Sequence, residues 1–451
     1  ARMPLLAAAQ PRALAMAAGR RASFQMGAAL VLLAVAFVLG FNADGLVTGF
    51  ALLGTLLIGA ALALPPVLNG VLAFASGQAR SVTAQWFWAD TRQQLPGLSL
   101  ALMALMLAIA ANIGVSTMVS SFRLTFTGFL DQRLASELYI STDSAEQTAA
   151  LVAFAEGAGA AVLPIQSADV QIAGQPAEVF GTRDHATYRD NWRFLQSTPA
   201  AWDATFAGQA VVINEQLARR AGLALGDPVE IGALTLPVAG IYGDYGNPIG
   251  QVVLALDAFA LQFPGVEPRQ FGLRVAGDPA DFVTGLTEAT EIGAGQTIDQ
   301  AGIKALSLAI FERTFTVTTA LNIMTLAVAG FAILMSLLTL AAMRVPQLAP
   351  AWAMGMTRAA LGRLELLRAV MLAVLTAALA LPLGLALAWV LLAVVNVAAF
   401  GWQLPMYLFP LDYARLGGFA LLAAVLAAGW PAWRLARTPP GDLLKVFANE
   451  R

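Results

Sequence analysis

Residues 315–343, FTVTTALNIMTLAVAGFAILMSLLTLAAM, run for 29 positions without one Asp, Glu, His, Lys or Arg. A helix of about 20 apolar residues crosses the roughly 30 Å hydrocarbon core of a bilayer, so this stretch reads as a membrane span. Five further stretches meet the same test, at 25–42, 46–68, 97–120, 366–396 and 414–433. None of the six spans contains Asp, Glu, His or Lys. The composition of the whole chain agrees, with 58% hydrophobic and 12% charged residues over 451 positions, against about 25% charged in an average soluble protein. Only Asn42, Ala43, Asp44 and Gly45 separate the first two spans, which is turn chemistry and makes them a tight helical hairpin. Pro65-Pro66 is expected to kink or end the second span.

The charges are sorted along the chain. Residues 121–314 hold 11 of the 26 Lys+Arg and 22 of the 28 Asp+Glu, a surplus of 11 acids, while the rest of the chain has a surplus of 9 bases. Lys and Arg in short loops stay on the cytoplasmic side during insertion. Arg2, Arg12, Arg20 and Arg21 precede the first span, and Arg80 and Arg92 lie between the second and third. Arg344, Arg358 and Arg363 follow the fourth, and the tail carries Arg434, Arg437, Lys445 and Arg451. The 42–45 turn and the 397–412 connection have none. Both termini are therefore expected in the cytoplasm and residues 121–314 outside it, in a multi-pass membrane protein. The fold class predicted is a polytopic α-helical membrane protein with six transmembrane helices and one mixed α/β extracytoplasmic domain.

Within 121–314, strand-like runs fall at 170–172, 177–180, 210–213, 229–231, 236–241, 251–255 and 271–275, and helical runs at 145–157, 214–221, 279–290 and 303–315. Asn214 is suited to cap its helix. Trp192, Phe194, Trp202 and Phe206 read either as an apolar recognition surface or, preferably, as core. Asn112, Asn322 and Asn396 read as interhelical hydrogen-bonding groups rather than a substrate site.

Several chemistries are disfavoured. The chain has no cysteine, so there is no thiolate nucleophile, disulfide or cysteine zinc site. Its single histidine, His185, reads as an exposed loop residue and cannot form a histidine cluster or a usual triad. A P-loop needs a lysine followed by Ser or Thr, whereas Lys304 precedes Ala305 and Lys445 precedes Val446. Any ATPase is expected on a separate subunit, with ATP and Mg bound there and no cofactor or metal on this chain. No feature calls for nucleic acid.

From residue 76 onward the order of features resembles the FtsX-like permease core of ABC transporters, with its cytoplasmic amphipathic helix, a span, a large outer domain and three closing spans. Ser81–Arg92, with Trp86, Phe87 and Trp88, resembles the interfacial helix. Residues 343–368, MRVPQLAPAWAMGMTRAALGRLELLR, resemble the family's cytoplasmic segment R-x-x-E-[IL]-[AG]-[IVL]-L-[RK]-A-[LIM]-G…E-x-[LA]. Arg344, Ala353, Gly355 and Glu365 match. Gln347 stands where an acid is usual and Trp352 where a base is usual, and Pro346 and Pro350 are departures. Read physically, this is a short helix ended by Gly355, with Thr357 capping the next helix. Ala210–Glu215 with Gly226-Asp227, and Trp430–Arg434 followed by Arg437, Pro439 and Leu443–Lys445, resemble two further family patterns.

The resemblance implies domains at 1–75 (amino-terminal segment and hairpin), 76–120 (amphipathic helix and third span), 121–314 (α/β domain) and 315–451 (three closing spans, coupling segment 344–365 and tail). It implies ATPase-coupling roles for Arg344, Gln347, Trp352, Gly355, Met356, Arg358 and Glu365. On residues alone, the arginines also serve topology, and Glu365 pairs with Arg368 or Arg358 on one helix face. Implied partners are a cytoplasmic ABC ATPase dimer, membrane lipids, and a periplasmic protein or lipid cargo. The hairpin, together with an Ala-Arg-Met start, points to the second half of a ten-span permease whose first core is missing here. The function implied is a permease subunit that exports or extracts a lipid, lipoprotein or other amphiphile, or transmits motion across the membrane. The alternative from another class is a membrane-anchored scaffold that recruits a periplasmic partner without ATP-driven motion. A membrane-embedded enzyme would need convergent carboxylates or a nucleophile with its base, and neither is evident.

Overall fold

The computed structural model describes residues 11–43, 45–353 and 355–437. In chain order the elements begin with helices α1 (Pro11–Phe41), α2 (Leu46–Gln78) and α3 (Val82–Arg133). There follow β1 (Leu138–Ser141), α4 (Ala145–Gly157), β2 (Ala161–Ile172), β3 (Gln175–Thr182), α5 (Ala186–Asn191), β4 (Phe194–Ser197) and α6 (Ala201–Phe206). Next come β5 (Val211–Asn214), α7 (Glu215–Ala221), β6 (Pro228–Ile231), β7 (Leu234–Tyr242), β8 (Gly250–Ala255), α8 (Leu256–Gln262), β9 (Gln270–Arg274), α9 (Pro279–Ala289) and β10 (Thr297–Asp299). The chain closes with α10 (Gln300–Ala353), α11 (Arg358–Val390), a π-helical turn at Leu391–Val395, α12 (Asn396–Phe400) and α13 (Pro410–Ala436). Arg2, Pro439, Leu443–Lys445 and Arg451, used in the sequence reading, lie outside the described residues, as do the side chains of Arg12, Arg20, Arg21 and Arg434.

These elements form two compact units, 1–120 with 316–395 and 406–451, and 121–315 with 396–405. In the first, six helices are long and apolar enough to cross a membrane, beginning at Ser23, Leu46, Val82, Gln300, Arg358 and Pro410. Two expectations about their ends are corrected. Helix α2 runs through Pro65-Pro66 to Gln78, so the prolines do not end it. The amphipathic stretch 81–92 and the third span are one helix, α3, continuous through Pro96 and on to Arg133. Each proline forfeits one backbone hydrogen bond, and surrounding helices in a bundle tolerate that loss better than an isolated helix does.

The bundle core joins α2, α3, α10, α11 and α13 through Leu68, Leu105, Ile109, Ile333, Leu372, Leu387 and Ala424. Small residues set the closest approach. A Cβ added to Gly384 of α11 would lie 2.6 Å from the Cβ of Ile113 on α3 and 2.9 Å from the carbonyl oxygen of Ala110. Gly114 of α3 is held as closely, with Leu387 Cβ at 3.0 Å from such a position. Association in lipid depends on this kind of contact, because apolar burial alone gains nothing there. Asn112 donates across the bundle to Thr325 Oγ1 at 3.0 Å, and Thr117 bonds Tyr413 at 3.0 Å, as expected of interhelical polar groups.

The second unit is a mixed ten-stranded sheet ordered β10-β1-β9-β2-β3-β8-β5-β7-β4, with β6 paired to β7. Every strand-like run of the sequence reading falls in a strand, and three helical candidates appear as α4, α7 and α9. The fourth, 303–315, is the start of the much longer α10. Strand β2 carries the sheet across two cores: residues 161–165 pair with β9 and 166–172 with β3. One core is built on Leu138, Leu151, Leu273 and Leu286, the other on Val179, Ile213, Leu217, Val252 and Phe259. The parts of α3 and α10 in this unit meet through Phe122 and Phe311, 5.2 Å apart, and through Lys304 and Asp131 at 2.6 Å.

Asn214 does more than cap. Its Oδ1 accepts from Leu217 N at 3.0 Å and from Gln251 N at 2.9 Å, tying α7 to β8. Trp202 is buried, and Trp192, Phe194 and Phe206 pack against the same small core with Tyr242, which favours core over recognition surface. His185 lies in a loop, as expected, but is half-buried rather than exposed and caps α5 by accepting from Thr187 N at 3.1 Å.

Candidate coupling site

The segment singled out in the sequence divides at residue 355. Arg344, Gln347 and Trp352 lie on α10, which continues to Ala353 without the separate short helix expected, and their side chains lie outside the described residues. Gly355 has φ +102°, a conformation that an L side chain rarely adopts, and it turns the chain there. Met356 follows, half-buried. Thr357 then caps α11, accepting from Ala360 N at 3.2 Å, and Arg358 opens that helix.

Two turns further along α11 the structure builds a buried ionic cluster. Arg368 is 1% exposed. Its Nη1 donates to both oxygens of Glu365 at 2.9 Å, its Nε to Thr91 Oγ1 at 3.0 Å, and its Nη2 to Asp90. Gln94 Nε2 donates to the same Asp90 oxygen at 3.0 Å, and the guanidinium lies 5.6 Å from the Phe87 ring centre. Thus Glu365 pairs with Arg368, one of the two partners expected from its spacing.

Arginine suits this position because its planar fork can serve several acceptors in fixed directions. Two carboxylates, Asp90 and Glu365, are bonded to the one guanidinium. A buried guanidinium without such partners would be costly. The effect is to join α11, ten to thirteen residues after the Gly355 turn, to residues 87–94 of α3. Arg92 extends the link to α2 by donating to Asn69 Oδ1 at 3.0 Å.

The sequence reading missed Asp90, Thr91 and the central place of Arg368. A signal was present: Arg368 falls within the predicted span 366–396, and an ionisable residue there needs a partner. No spacing rule could select Asp90, which is 278 residues away in the chain. Of the proposed coupling residues, Glu365 is part of the cluster.

Among the described residues, no group of three or more His, Asp or Glu side chains is placed to hold a metal ion. In the α/β unit, burial pushes the carboxyl of Asp244 above the ordinary carboxylate range, opposed by the nearby charge of Arg133 and a hydrogen bond from Asn214. Burial likewise pushes the Tyr188 hydroxyl up to about 12. At the surface, the hydrogen-bonded guanidinium of Arg189 holds Asp184 low. None of these groups forms an acid and base pair around an open site.

Two family profiles match separate stretches of the chain: the FtsX-like permease C-terminal region at residues 319–440 and the MacB-like periplasmic core domain at residues 98–288. An uncharacterized ABC transporter permease protein of Mycobacterium tuberculosis is 27% identical over 427 residues, covering 87% of this chain. The match covers 49% of that protein, so the chain spans about half the length of the curated relative. Solved structures with similarity include the extracellular domain of the noncanonic ABC-type transporter YknZ from Gram-positive bacteria, at TM-score 0.28 and 12% identity over 36% of this chain and 98% of that one. The periplasmic region of MacB from Actinobacillus actinomycetemcomitans gives TM-score 0.29 and 12% identity over 38% of this chain and 91% of that one. Structural scores this low carry no argument, but the profile matches fall on the membrane bundle and on the α/β unit already described. The chain thus carries an FtsX-like permease C-terminal region and a MacB-like periplasmic core domain.

Proposed function

We propose that this permease works with a separate cytoplasmic ABC ATPase dimer, which holds ATP and Mg and acts on the bundle through residues 344–365. Both termini and that segment face the cytoplasm of a bacterial inner membrane, and the acidic domain lies outside. The cargo is a lipid, lipoprotein or other amphiphile, or the output is motion transmitted to a periplasmic partner. The observation that carries the reading is the Asp90–Arg368–Glu365 cluster. It ties the helix that follows the Gly355 turn to the amphipathic beginning of α3, so displacement of the segment would be passed to a second helix rather than absorbed by a loose loop. The absence of Asp, Glu, His and Lys from the predicted spans supports an external energy source over ion coupling.

The test is copurification from mild detergent with candidate ABC ATPases, comparing the unaltered chain with a Gly355→Pro, Trp352→Asp double variant whose melting is checked in parallel. Association and stimulated ATP hydrolysis, both lost in the well-folded variant, are expected. A folded chain that recruits no ATPase would favour a membrane-anchored scaffold instead. Orientation is testable separately, because the chain has no cysteine and every introduced thiol is unique. Cysteine at Ala79 should be protected from an impermeant reagent in intact cells, and cysteine at Asp203 should react.

A further inference from the structure

Three buried polar atoms to which the protein gives no hydrogen-bond partner gather at one place in the α/β unit: Glu215 Oε2, Gln216 Oε1 and Trp402 Nε1. Glu215 and Gln216 open α7, and Trp402 belongs to residues 396–405, a strap that this unit takes from the connection between α11 and α13. A buried polar atom left unpaired costs free energy, and such groups in native structures call for a specific explanation. All three are covered by the protein itself, so a ligand at the surface does not answer for them.

The strap sits on α7 through few and long bonds. Gln403 N donates to Glu215 Oε1, Arg219 Nη2 to Gln403 Oε1 and Arg220 Nη2 to the Phe400 carbonyl, each at 3.2 Å, the long end of the usual range. Trp402 and Leu404, both 4% exposed, supply the apolar part of the seat. Gly401 lies flat against the helix, since a Cβ added there would stand 3.4 Å from Gln216 Cα and 3.2 Å from Arg220 Nε.

Within itself the strap is better bonded. Asn396 Nδ2 donates to the Trp402 carbonyl at 2.7 Å and Gly401 N to the Val397 carbonyl at 2.8 Å, while the Phe400 and Trp402 rings stack 5.1 Å apart. Residues 396–402 are thus tied into one body. Before them comes the π-helical turn Leu391–Val395, an uncommon form of helix that recurs at functional sites, and after them the stretch 403–409, which has no regular secondary structure.

We infer that the 396–405 strap is a latch, which lifts from α7 about the π-helical turn and reseats while the sheet beneath stays folded. Lifting breaks three long hydrogen bonds and uncovers two apolar side chains, but it also gives water to three polar atoms that the seated state leaves unpaired. The seated state is therefore held by a small margin, as local openings of native proteins are. Seated, the strap holds the chain that leaves α11 fast to α7; lifted, that chain is slack. The inference concerns this chain by itself and requires neither nucleotide nor ATPase, so its failure and that of the permease reading are separable.

The test uses the full chain in lipid nanodiscs, where every introduced thiol is unique. The thiol of Leu404→Cys is covered while the strap is seated and reaches solvent when it lifts. Val252→Cys, in the fully buried core of β8, reports opening of the sheet, and Asp203→Cys, at the surface, gives the rate of an uncovered thiol. With a water-soluble maleimide, Leu404→Cys should react at least about tenfold faster than Val252→Cys and about tenfold slower than Asp203→Cys. Adding Gln403→Ala, which loses the bond to Arg219, should raise the Leu404→Cys rate about threefold or more at unchanged melting temperature. Because Leu404→Cys itself trims the seat, hydrogen exchange in the unaltered chain is the second measurement: the Gln403 amide should be protected relative to a free amide, yet exchange at least about tenfold faster than the Val252 and Val253 amides. A strap that opens only with the sheet, shown by Leu404→Cys reacting as slowly as Val252→Cys or by the Gln403 amide exchanging as slowly as those of β8, overturns the inference. So does a strap that never seats, shown by an unprotected Gln403 amide, or a Leu404→Cys rate indifferent to Gln403→Ala.

Discussion

Replacing Arg368 by Met keeps much of the side-chain volume but removes the guanidinium that both Asp90 and Glu365 bond. In the native cluster the Arg368 side chain is 2% exposed, Asp90 12% and Glu365 16%, so water can do little to compensate. Breaking a buried ion pair by removing one partner typically costs about 3–5 kcal/mol, and that is the expected loss for Arg368→Met. Asp90→Asn should cost less, about 1.5–3 kcal/mol, the usual value of a hydrogen bond to a charged group, because Glu365 still holds Nη1 through two bonds. The decisive variant removes all three charges together. Asp90→Asn, Glu365→Gln, Arg368→Met should be at least about 2 kcal/mol more stable than Arg368→Met alone, since the stranded carboxylates are gone. Stability can be followed by reversible unfolding in mixed detergent micelles, using the fluorescence of the nine tryptophans. The reasoning fails if Arg368→Met lies within about 0.5 kcal/mol of the unaltered protein, where ordinary surface changes fall. It fails equally if the triple variant is no more stable than the single one.

Three further outcomes follow from particular contacts. Gly384→Ala places a Cβ against Ile113 and the Ala110 carbonyl and should cost about 1–3 kcal/mol of overpacking in the same assay, whereas Gly70→Ala, with open space around it, should be neutral or slightly stabilising. Asn214→Ala removes the acceptor shared by two buried amides, so a loss of about 2–4 kcal/mol is expected, with faster hydrogen exchange at Leu217 and Gln251. Asp244 has its folded-state pKa raised by burial, so its contribution to stability is fully present below the unfolded carboxylate pKa and is lost as pH rises through the folded value. Asp244→Asn should therefore flatten the pH dependence of α/β-domain melting above the ordinary carboxylate range; an unchanged pH profile would assign that dependence to other groups.

Membrane spans, strands and several helices were legible because their causes are local. A run such as 315–343 declares its solvent by composition, and alternating or turn-bounded runs such as 251–255 declare strands by period and punctuation. Asn214 was readable as a cap from its position before an apolar helix. What the local reading got wrong were ends: Pro65-Pro66 and Pro96 sit inside continuous helices, because packing and the surrounding medium decide whether a broken backbone hydrogen bond ends a helix. Short elements such as α5, β4 and β10 were missed because three to six residues give too little period to read. The Gly355 turn was legible, but neither it nor the aromatic stretch Ser81–Arg92 revealed the buried Arg368 that joins α11 to α3.

The sequence by itself determined the solvent of each segment, the segregation of acidic from basic residues and the family resemblance, since these depend on residue type and order along the chain. Only the tertiary structure decided that Arg368 is held by Asp90 and Thr91, that Gly384 seats against Ile113, and that Glu215 pairs with Arg219 beside Gln403. Those facts depend on distances between residues remote in sequence, where a buried charge or an added methylene is favourable or costly according to partners that no local pattern names.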